Sequence, residues 1–415
     1  MSLVAAARLQ SDPHFDVHPP LFLWMLQLWS RAGLSEGWLR LLSVLPSLLS
    51  LGVLWRLSAF WGLSSGQRRA LLWMQALSFA GLQLAREVRM YSWLEFWALL
   101  HLWALYERRA WTAGLSLLAA CYTHVFGLFL LPLAYTGPNL RLWRIQALAM
   151  LLWIPWAWLH FRHQLSHPLD LRQLPSASVL LEAVGRVAGG RMAAYGDPTS
   201  LWVGAALIVA LLTVLGLRRP LPIQILALAI LPPLSAWLVS RATPLQIFEF
   251  KYFYWTHAAW AALALFSLPR LPAVVALAWT WLNLAALVPL LLMPHNWLAN
   301  WRQTSDMVRL RSPVVVHPSM MSAPLLYYGV VLKPVDEWSQ LEPGHDMIWV
   351  TTPHHPYVVR QGLWRGIERY WRRVSRETLS NELPSSEIEV IDYRWDPSGG
   401  SSRGQGEAGR PKIRR

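Results

Sequence analysis

Apolar runs of roughly 20 residues recur between Gly37 and Leu292, and each run is bounded by an arginine pair, a proline or a glycine. A helix needs about that many apolar residues to cross the hydrocarbon core of a bilayer. A large soluble core would also explain the hydrophobicity, but it would not explain the regular length of the runs. The sequence therefore predicts an all-α polytopic membrane protein.

Composition supports this class and excludes another. Hydrophobic residues make up 54% of the 415 and charged residues only 14%, against roughly 25% charged residues in soluble domains. The net charge of +14 suggests a nucleic-acid partner at first sight. The basic residues are, however, dispersed as loop pairs and along the last third of the chain. Because loop charge in a membrane protein mainly sets orientation, nucleic acid is excluded as a partner.

The positions of the basic loops predict the topology. The compact basic loops lie on one side of the membrane only if the stretch 111–136 turns back on itself near His124. With that hairpin the chain has about ten membrane segments. The basic loops contain Arg68, Arg108, Arg141, Arg218 and Arg270, and the other predicted spans are 38–60, 70–84, 91–106, 145–160, 200–217, 221–240, 252–268 and 272–292.

Cations on the opposite, extracytoplasmic face run against the orientation rule and therefore indicate anion binding. They are Arg86, Arg89, Arg241 and Lys251. The same face receives residues 1–36, the loop 161–199 and all residues after 292. The single cysteine, Cys121, excludes an internal disulfide. Residues 1–12 lack the apolar region of a cleavable signal peptide.

Residues 293–395 lose the long apolar runs and predict a small extracytoplasmic α/β domain. The stretches "WRQTSDMVRL" and "YVVRQGLWRGIERYWRRV" are typical of helices, and the second is basic and amphipathic. The stretches "SPVVVH", "DMIWVTT" and "SEIEVIDYRW" are typical of strands. The tail 396–415 is rich in Gly, Ser and Arg with nothing to bury, and it is expected to be disordered.

The stretch "FDVHPPLFLWMLQLW", residues 15–29, places two ionisable groups before a short apolar helix. Leu21 to Trp29 is too short to span a bilayer, so the helix is expected to lie along the interface, with its tryptophans as anchors. Asp16 and His18 would then be held at the membrane surface. Asp16 could alternatively cap a helix, and His18 could be only interfacial.

Four motifs resemble the GT-C glycosyltransferases. "DVHPPLF" followed by "SEGWLRLLSVLPSLL" is similar to their first extracytoplasmic loop, and "AREVRMY" is similar to the family's Q-E-A-R-M-Y. "FEFKY" stands where the family has Arg-Tyr, and "NWRQTSDMVR" with "LLYYG" resembles the appended domain. The most similar groups are the protein-mannosyltransferase-like and aminoarabinose-transferase-like bacterial enzymes. The resemblance covers about residues 15 to 330 in the expected order.

The resemblance implies transfer of a sugar from a polyprenyl-phosphate donor to a lipid, glycan or protein acceptor. The reaction would take place on the extracytoplasmic side of the bacterial plasma (inner) membrane. Residues 1–36 would then form the first extracytoplasmic loop and residues 37–292 the transmembrane glycosyltransferase domain. The chain contains no nucleotide-binding glycine-rich loop, since "AGGR" at 188–191 lacks the spacing and the flanking strand. A lipid-linked donor needs only cations for its phosphate and a base for the acceptor hydroxyl.

The family motifs imply roles for individual residues. Asp16 is the best remaining carboxylate, because the family's own base belongs to an acidic motif that is not found in this chain, and it would deprotonate or orient the acceptor. His18 would hydrogen-bond near the donor phosphate or sugar. Arg89 would pair with phosphate through two parallel hydrogen bonds. Lys251 would add a point charge against the leaving group, although it replaces the arginine of the family motif and so loses the planar fork.

The remaining substrate-binding candidates are Glu87, Tyr91, His124 and Tyr252. Glu87 and Tyr91, four residues apart, would share a helical face and reach the sugar or brace Arg89. Glu87 and Arg89 could instead form an ion pair that only fixes helix packing. His124 is expected in the turn on the same face, where a purely structural histidine is an equally good interpretation.

One departure from the family pattern and one rival class of protein keep other functions open. The stretch "MSLVAAARL" resembles the segment that follows the family's first transmembrane helix and acidic motif, so either the start codon is placed too late or the chain is a degenerate, inactive homologue. A transporter or flippase of a lipid-linked precursor would also use basic residues in a membrane cavity, but it should show symmetric halves. No cofactor is assigned. No pair of His, Asp and Glu has convincing ligand spacing, so the sequence does not decide whether a divalent metal assists.

Overall fold

A computed structural model describes residues 19–134, 140–166, 177–189, 203–204, 206–207, 222–243, 247–248, 250–292, 301–309, 314–317, 332–334, 345–351, 371–379 and 388–395. The chain divides into two compact units, Met1–Leu292 and Met293–Arg415. The described part of the first unit is helical, and that of the second contains one helix and a small sheet.

The helices of the first unit are α1 Leu21–Ser30, α2 Glu36–Phe60, α3 Ser65–Ala76, α4 Phe79–Arg86, α5 Tyr91–Tyr106, α6 Ala110–Thr123, α7 Leu140–Ser166, α8 Ala177–Gly189, α9 Ile223–Ala242, α10 His257–Ser267 and α11 Pro272–Leu292. Two 3-10 segments, Val125–Ala134 and Phe250–Thr256, precede α7 and α10. Within the described residues, three helices are long and apolar enough to cross a membrane: Glu36–Phe60, Leu140–Leu159 and Ile223–Ala242.

Several predicted segments are found as helices. The predicted spans 91–106 and 272–292 coincide with α5 and α11. The short helix predicted before Trp29 is α1, which is joined to α2 by the stacked rings of Trp29 and Trp38, 4.6 Å apart. Each of these indoles also donates its N–H to the backbone carbonyl of the other residue. The predicted span 200–217, residues 1–18 and the tail 396–415 lie wholly or almost wholly outside the described residues.

The predicted span 70–84 is wrong as a single helix, because the chain breaks between α3 and α4. Ser78 is the cause: its hydroxyl donates to the Gln75 carbonyl and accepts from the Gly81 N–H. The side chain of Asn283 in α11 accepts a further bond, 2.7 Å long, from the Phe79 N–H. These side chains satisfy the first N–H groups of α4, so a new helix can begin there.

The turn predicted near His124 is found, since α6 ends at Thr123 and a 3-10 segment follows. Gly127 makes the turn tight: a Cβ there would stand 2.5 Å from the backbone nitrogen of Cys121. The 3-10 segment therefore packs back onto the end of α6.

Part of the predicted extracytoplasmic loop 161–199 is helical instead. α7 continues to Ser166, and α8 packs against α9, α10 and α11 inside the unit. Its Arg186 is fully buried and forms an ion pair with Glu182, one turn earlier. Hydropathy does not reveal such a helix, because the two charges lower its average although they compensate each other.

The second unit contains α12 Trp301–Val308 and a five-stranded sheet of order β2-β1-β3-β5-β4. The strands are β1 Val314–His317, β2 Leu332–Pro334, β3 Met347–Thr351, β4 Trp371–Leu379 and β5 Ile388–Trp395. β2, β1 and β3 are parallel, and β5 pairs antiparallel with β3 and β4. Apolar clusters cover both faces, one of them around Trp349 and the other around Val350.

The predicted strands at 314–317, 347–351 and 388–395 and the helix at 301–308 are confirmed. The predicted basic helix 357–374 is wrong at its end, where Trp371 begins β4. Trp371 is buried against Trp395, with 4.7 Å between the ring centroids, and it donates to the His345 carbonyl. Cross-strand packing of the aromatic ring therefore overrides the helical pattern.

Candidate functional site

The loop between α4 and α5 brings together the residues of "AREVRMY". Glu87 follows the last residue of α4 in an extended conformation, and Tyr91 begins α5. The Arg89 Nε lies 3.4 Å from Glu87 Oε2, and Gln83 Nε2 donates to Glu87 Oε1 at 2.5 Å. The carboxylate is therefore fixed from α4 and in turn orients the guanidinium.

The Arg89 side chain lies among protein groups but is not closed off. Burial lowers the pKa of Arg89, yet the Glu87 carboxylate and the side chains of Tyr91 and Tyr252 raise the pKa by more, so that it ends above its ordinary value. The Tyr91 side chain lies next to the guanidinium. A fraction of 38% of the side chain stays exposed. Arg89 is thus a permanent cation that a ligand can reach.

Four aromatic rings from three elements meet beside Arg89. Tyr91 of α5 lies 5.6 Å from His124 and 5.9 Å from Tyr252, and His124 lies 5.6 Å from Tyr252. Phe126 completes the group, 4.8 Å from His124 and 5.6 Å from Tyr252. We call Tyr91, His124, Phe126 and Tyr252 the aromatic cluster. It brings together Tyr91 and Tyr252, which were predicted from separate motifs, and His124, which was predicted from its position in the turn.

His124 is a neutral member of this cluster. Burial lowers the pKa of its imidazole to about 3. The Phe126 backbone N–H donates to His124 Nδ1 at 3.2 Å, which leaves the ring proton on Nε2. His124 therefore adds no positive charge, and its ring acts through packing and one N–H.

The side chains of three predicted site residues lie outside the described part of the chain. Asp16 and His18 lie outside the described residues, and so does the side chain of Lys251, whose backbone belongs to the second 3-10 segment beside Tyr252. Their roles stay predictions. Of the predicted site, the structure brings together Glu87, Arg89, Tyr91, His124 and Tyr252.

A buried polar group that the sequence analysis missed begins one turn after Tyr91. Glu95, one turn after Tyr91 in α5, is 1% exposed and accepts a 2.6 Å hydrogen bond from Gln75 Nε2. His257 Nδ1 lies 3.6 Å from Glu95 Oε1 and 2.6 Å from the Tyr254 carbonyl. We call Gln75, Glu95 and His257 the buried network. Glu95 could have been found from the sequence, because a carboxylate within an apolar helix is rare and usually has a structural or functional role.

The buried network joins the elements that carry the site. Gln75 lies in the last turn of α3, Glu95 belongs to the helix of Tyr91, and His257 begins the helix that follows Tyr252. Gly81 of α4 faces the same histidine, since a Cβ there would stand 3.3 Å from His257 Nε2. Among the described residues, no group of three His, Cys, Asp or Glu side chains could hold a metal ion.

Comparisons with known proteins add the following. No protein-family model matches the chain, and no curated protein matches it. A solved structure with similarity to it is the crystal structure of ArnT from Cupriavidus metallidurans in the apo state. The identity is 14% and the TM-score 0.39, over 90% of this chain and 87% of the other. A likeness at this level assigns neither a family nor an activity.

Proposed function

We propose that the chain is a membrane glycosyltransferase of the GT-C type. It transfers a sugar from a polyprenyl-phosphate donor to a lipid, glycan or protein acceptor on the extracytoplasmic side of the membrane. The observation that carries the proposal is Arg89, a permanent cation that is paired with Glu87 and still 38% exposed. An arginine held in this way is suited to a phosphate, because its fork offers two parallel N–H groups.

The aromatic cluster supports the sugar-phosphate part of the proposal. Tyr91 and Tyr252 adjoin the Arg89 side chain, so a group attached to the bound phosphate would lie against their rings. Aromatic faces pack against the apolar faces of ligands, and tyrosine hydroxyls also donate hydrogen bonds. A single arginine beside such rings therefore fits a sugar phosphate better than an isolated inorganic anion.

The position of the loop along the chain supports a lipid-linked donor. Arg89 follows α4 and precedes α5, between apolar helices rather than within one. The phosphate of a polyprenyl carrier lies at headgroup level while its hydrocarbon remains in the bilayer. A cation at a helix boundary can contact that phosphate while it stays outside the hydrocarbon core.

The proposed chemistry uses one base and two cations. The acceptor hydroxyl oxygen attacks C1 of the sugar, and the bond between C1 and the phosphate oxygen breaks. Polyprenyl phosphate leaves with the electron pair, and Arg89 and Lys251 stabilise its added charge. The hydroxyl proton passes to the carboxylate of Asp16.

The test is a transfer assay in membranes that contain the full-length protein. Polyprenyl-phosphate pentoses and hexoses with a labelled sugar are supplied, and label is followed into lipid, glycan and protein fractions. We expect transfer that is lost in Arg89→Ala and in Asp16→Ala, while both variants still insert into the membrane. Transfer at the wild-type rate in both variants would refute the assigned roles. Movement of intact donor across the membrane without consumption would identify a flippase instead.

A further inference from the structure

Two further arginines, Arg40 and Arg86, lie near the Arg89 loop. Arg86 is the last residue of α4, and Arg40 lies in the first turns of α2, which packs against α4. Arg40 forms an ion pair with Glu36 at 2.5 Å. Burial lowers the pKa of Arg86, and the positive charge of Arg40 lowers it further, against a smaller opposing effect of Glu87. Arg40 shares a face of α2 with Ser43, whose hydroxyl bonds to the Arg89 carbonyl, so both arginines lie near the same loop and their positive charges act on each other.

The Arg86 guanidinium is incompletely satisfied. Its Nη1 is buried and has no hydrogen-bond partner within the part of the chain that the structure describes. A buried donor without a partner is costly, and more so when it carries charge. A ligand oxygen that accepts a hydrogen bond from Nη1 would remove this cost.

The two arginines and the Arg89 loop form one cluster. Ser43, one turn after Arg40 in α2, donates its hydroxyl to the Arg89 carbonyl at 3.2 Å. We call Glu36, Arg40, Arg86, Glu87 and Arg89 the arginine cluster, in which three guanidinium groups face two carboxylates. The cluster has a surplus positive charge, which an anion would balance.

We propose that Arg40 and Arg86 form a second anion subsite, which takes a phosphate group next to the one at Arg89. The proposal deepens the proposed function and rests on it for the identity of the first phosphate. Two planar forks that approach from α2 and α4 match the several acceptor oxygens of a phosphate. The second phosphate belongs either to a diphosphate-linked donor or to an anionic acceptor.

The first experiment measures equilibrium binding of radiolabelled inorganic phosphate to the full-length protein in detergent. The compared proteins are the wild type, Arg86→Gln, Arg40→Gln, Arg89→Gln and the control Arg68→Gln. Arg68 stacks on Trp55 at 3.8 Å and donates to the Trp55 carbonyl, away from the arginine cluster, so its loss removes one charge and no cluster member. Melting temperature and gel filtration check that each variant is folded.

We expect Arg86→Gln and Arg40→Gln each to weaken phosphate binding about tenfold, and Arg68→Gln to leave it unchanged. Wild-type affinity in folded Arg86→Gln and Arg40→Gln would overturn the subsite, as would an equal loss in Arg68→Gln. If only Arg89→Gln loses binding, the subsite falls and the proposed role of Arg89 stands. If only the Arg86 and Arg40 variants lose it, the subsite stands and the phosphate role of Arg89 falls.

The second experiment identifies the source of the second phosphate. Geranylgeranyl monophosphate and diphosphate are compared as probes on the wild type and on Arg86→Gln. A diphosphate preference of the wild type that disappears in Arg86→Gln supports the subsite and assigns it to the donor. Equal binding of both probes by both proteins, together with the phosphate loss above, supports the subsite and assigns it to the acceptor. A diphosphate preference that Arg86→Gln retains in full would contradict the proposal.

Discussion

The arginine cluster includes the loop that precedes α5, and the buried network includes Glu95, one turn inside α5. The two regions differ in exposure and in charge. Arg89 is 38% exposed and belongs to a group with surplus positive charge. Glu95, six residues later, is 1% exposed and bonded to the neutral amide of Gln75. The first arrangement is open to a ligand, whereas the second is closed by the protein itself.

The difference separates two uses of polar groups in a hydrophobic chain. A closed network joins helices, because breaking it leaves a donor or acceptor without a partner in the interior. An open cluster with unbalanced charge gains nothing for folding and becomes favourable only with a counter-ion. Substitutions in the buried network should therefore lower stability, and substitutions in the arginine cluster should lower activity.

The largest expected effect is on stability and comes from Glu95→Ala. The substitution leaves Gln75 Nε2 without its acceptor and opens a cavity beside His257. We expect the free energy of unfolding to fall by about 3 kcal/mol, measured by titration with denaturing detergent in mixed micelles. Glu95→Gln keeps an acceptor oxygen for Gln75 and should lose less than half as much. Equal losses in both variants would contradict the hydrogen-bonded role of the carboxyl group.

The next effect connects the two regions through α4. In Gly81→Ala the new Cβ would stand 2.7 Å from the Ser78 hydroxyl and 3.3 Å from His257 Nε2. We expect a loss of about 2 kcal/mol in the free energy of unfolding from overpacking. Gly52→Ala in α2 is the matched control, since nothing lies within 4 Å of its Cβ, and it should stabilise the helix by about 0.5–1 kcal/mol. A neutral Gly81→Ala would show that α4 shifts freely against His257.

A smaller effect, on activity instead of stability, is expected from Glu87→Gln. The amide cannot form the ion pair with Arg89, although it can still bond to Gln83. Because Arg89 is then poorly oriented, the transfer rate should fall about tenfold, while the loss of a partly exposed ion pair costs under about 1 kcal/mol of stability. Glu107→Gln removes a comparable pair with Arg109 at 3.8 Å and should not change the rate. An equal loss of rate in both variants would remove the distinction between these two ion pairs.

The sequence predicted the open region better than the closed one. Arg89 follows from a charge at the end of an apolar segment, where the orientation rule makes an arginine unusual. Glu87 and Tyr91 follow from the resemblance of "AREVRMY" to a family motif. Their contact with His124 and Tyr252 was expected only as a common face, and the structure brings the rings within 6 Å. The position of Arg40 near the Arg89 loop depends on how α2 packs against α4, which no local pattern encodes.

The buried network and the helix break at Ser78 both depend on contacts between residues that are far apart in the sequence, and hydropathy does not record such contacts. Ser78 ends one helix and begins another through bonds to Gln75 and Gly81 and with the help of Asn283, which is 204 residues from its partner Phe79. Hydropathy averages over such side chains, and so it treats 70–84 as one span. α5 and α11 were predicted with the observed bounds because charged residues or prolines flank them directly.

The smallest expected effect tests the bond that joins α2 to the Arg89 loop. Ser43 is fully buried, and its hydroxyl donates to the Arg89 carbonyl at 3.2 Å, so Ser43→Ala leaves that carbonyl without this donor. We expect a loss of about 1 kcal/mol in stability and a two- to threefold lower transfer rate, which corresponds to roughly 0.5 kcal/mol. Ser47→Ala is the matched control, because among the described residues the Ser47 hydroxyl donates to the Ser43 carbonyl in its own helix and not to the Arg89 loop. If Ser47→Ala lowered the rate as much as Ser43→Ala, the loop would take its position from α2 as a whole and not from this single bond.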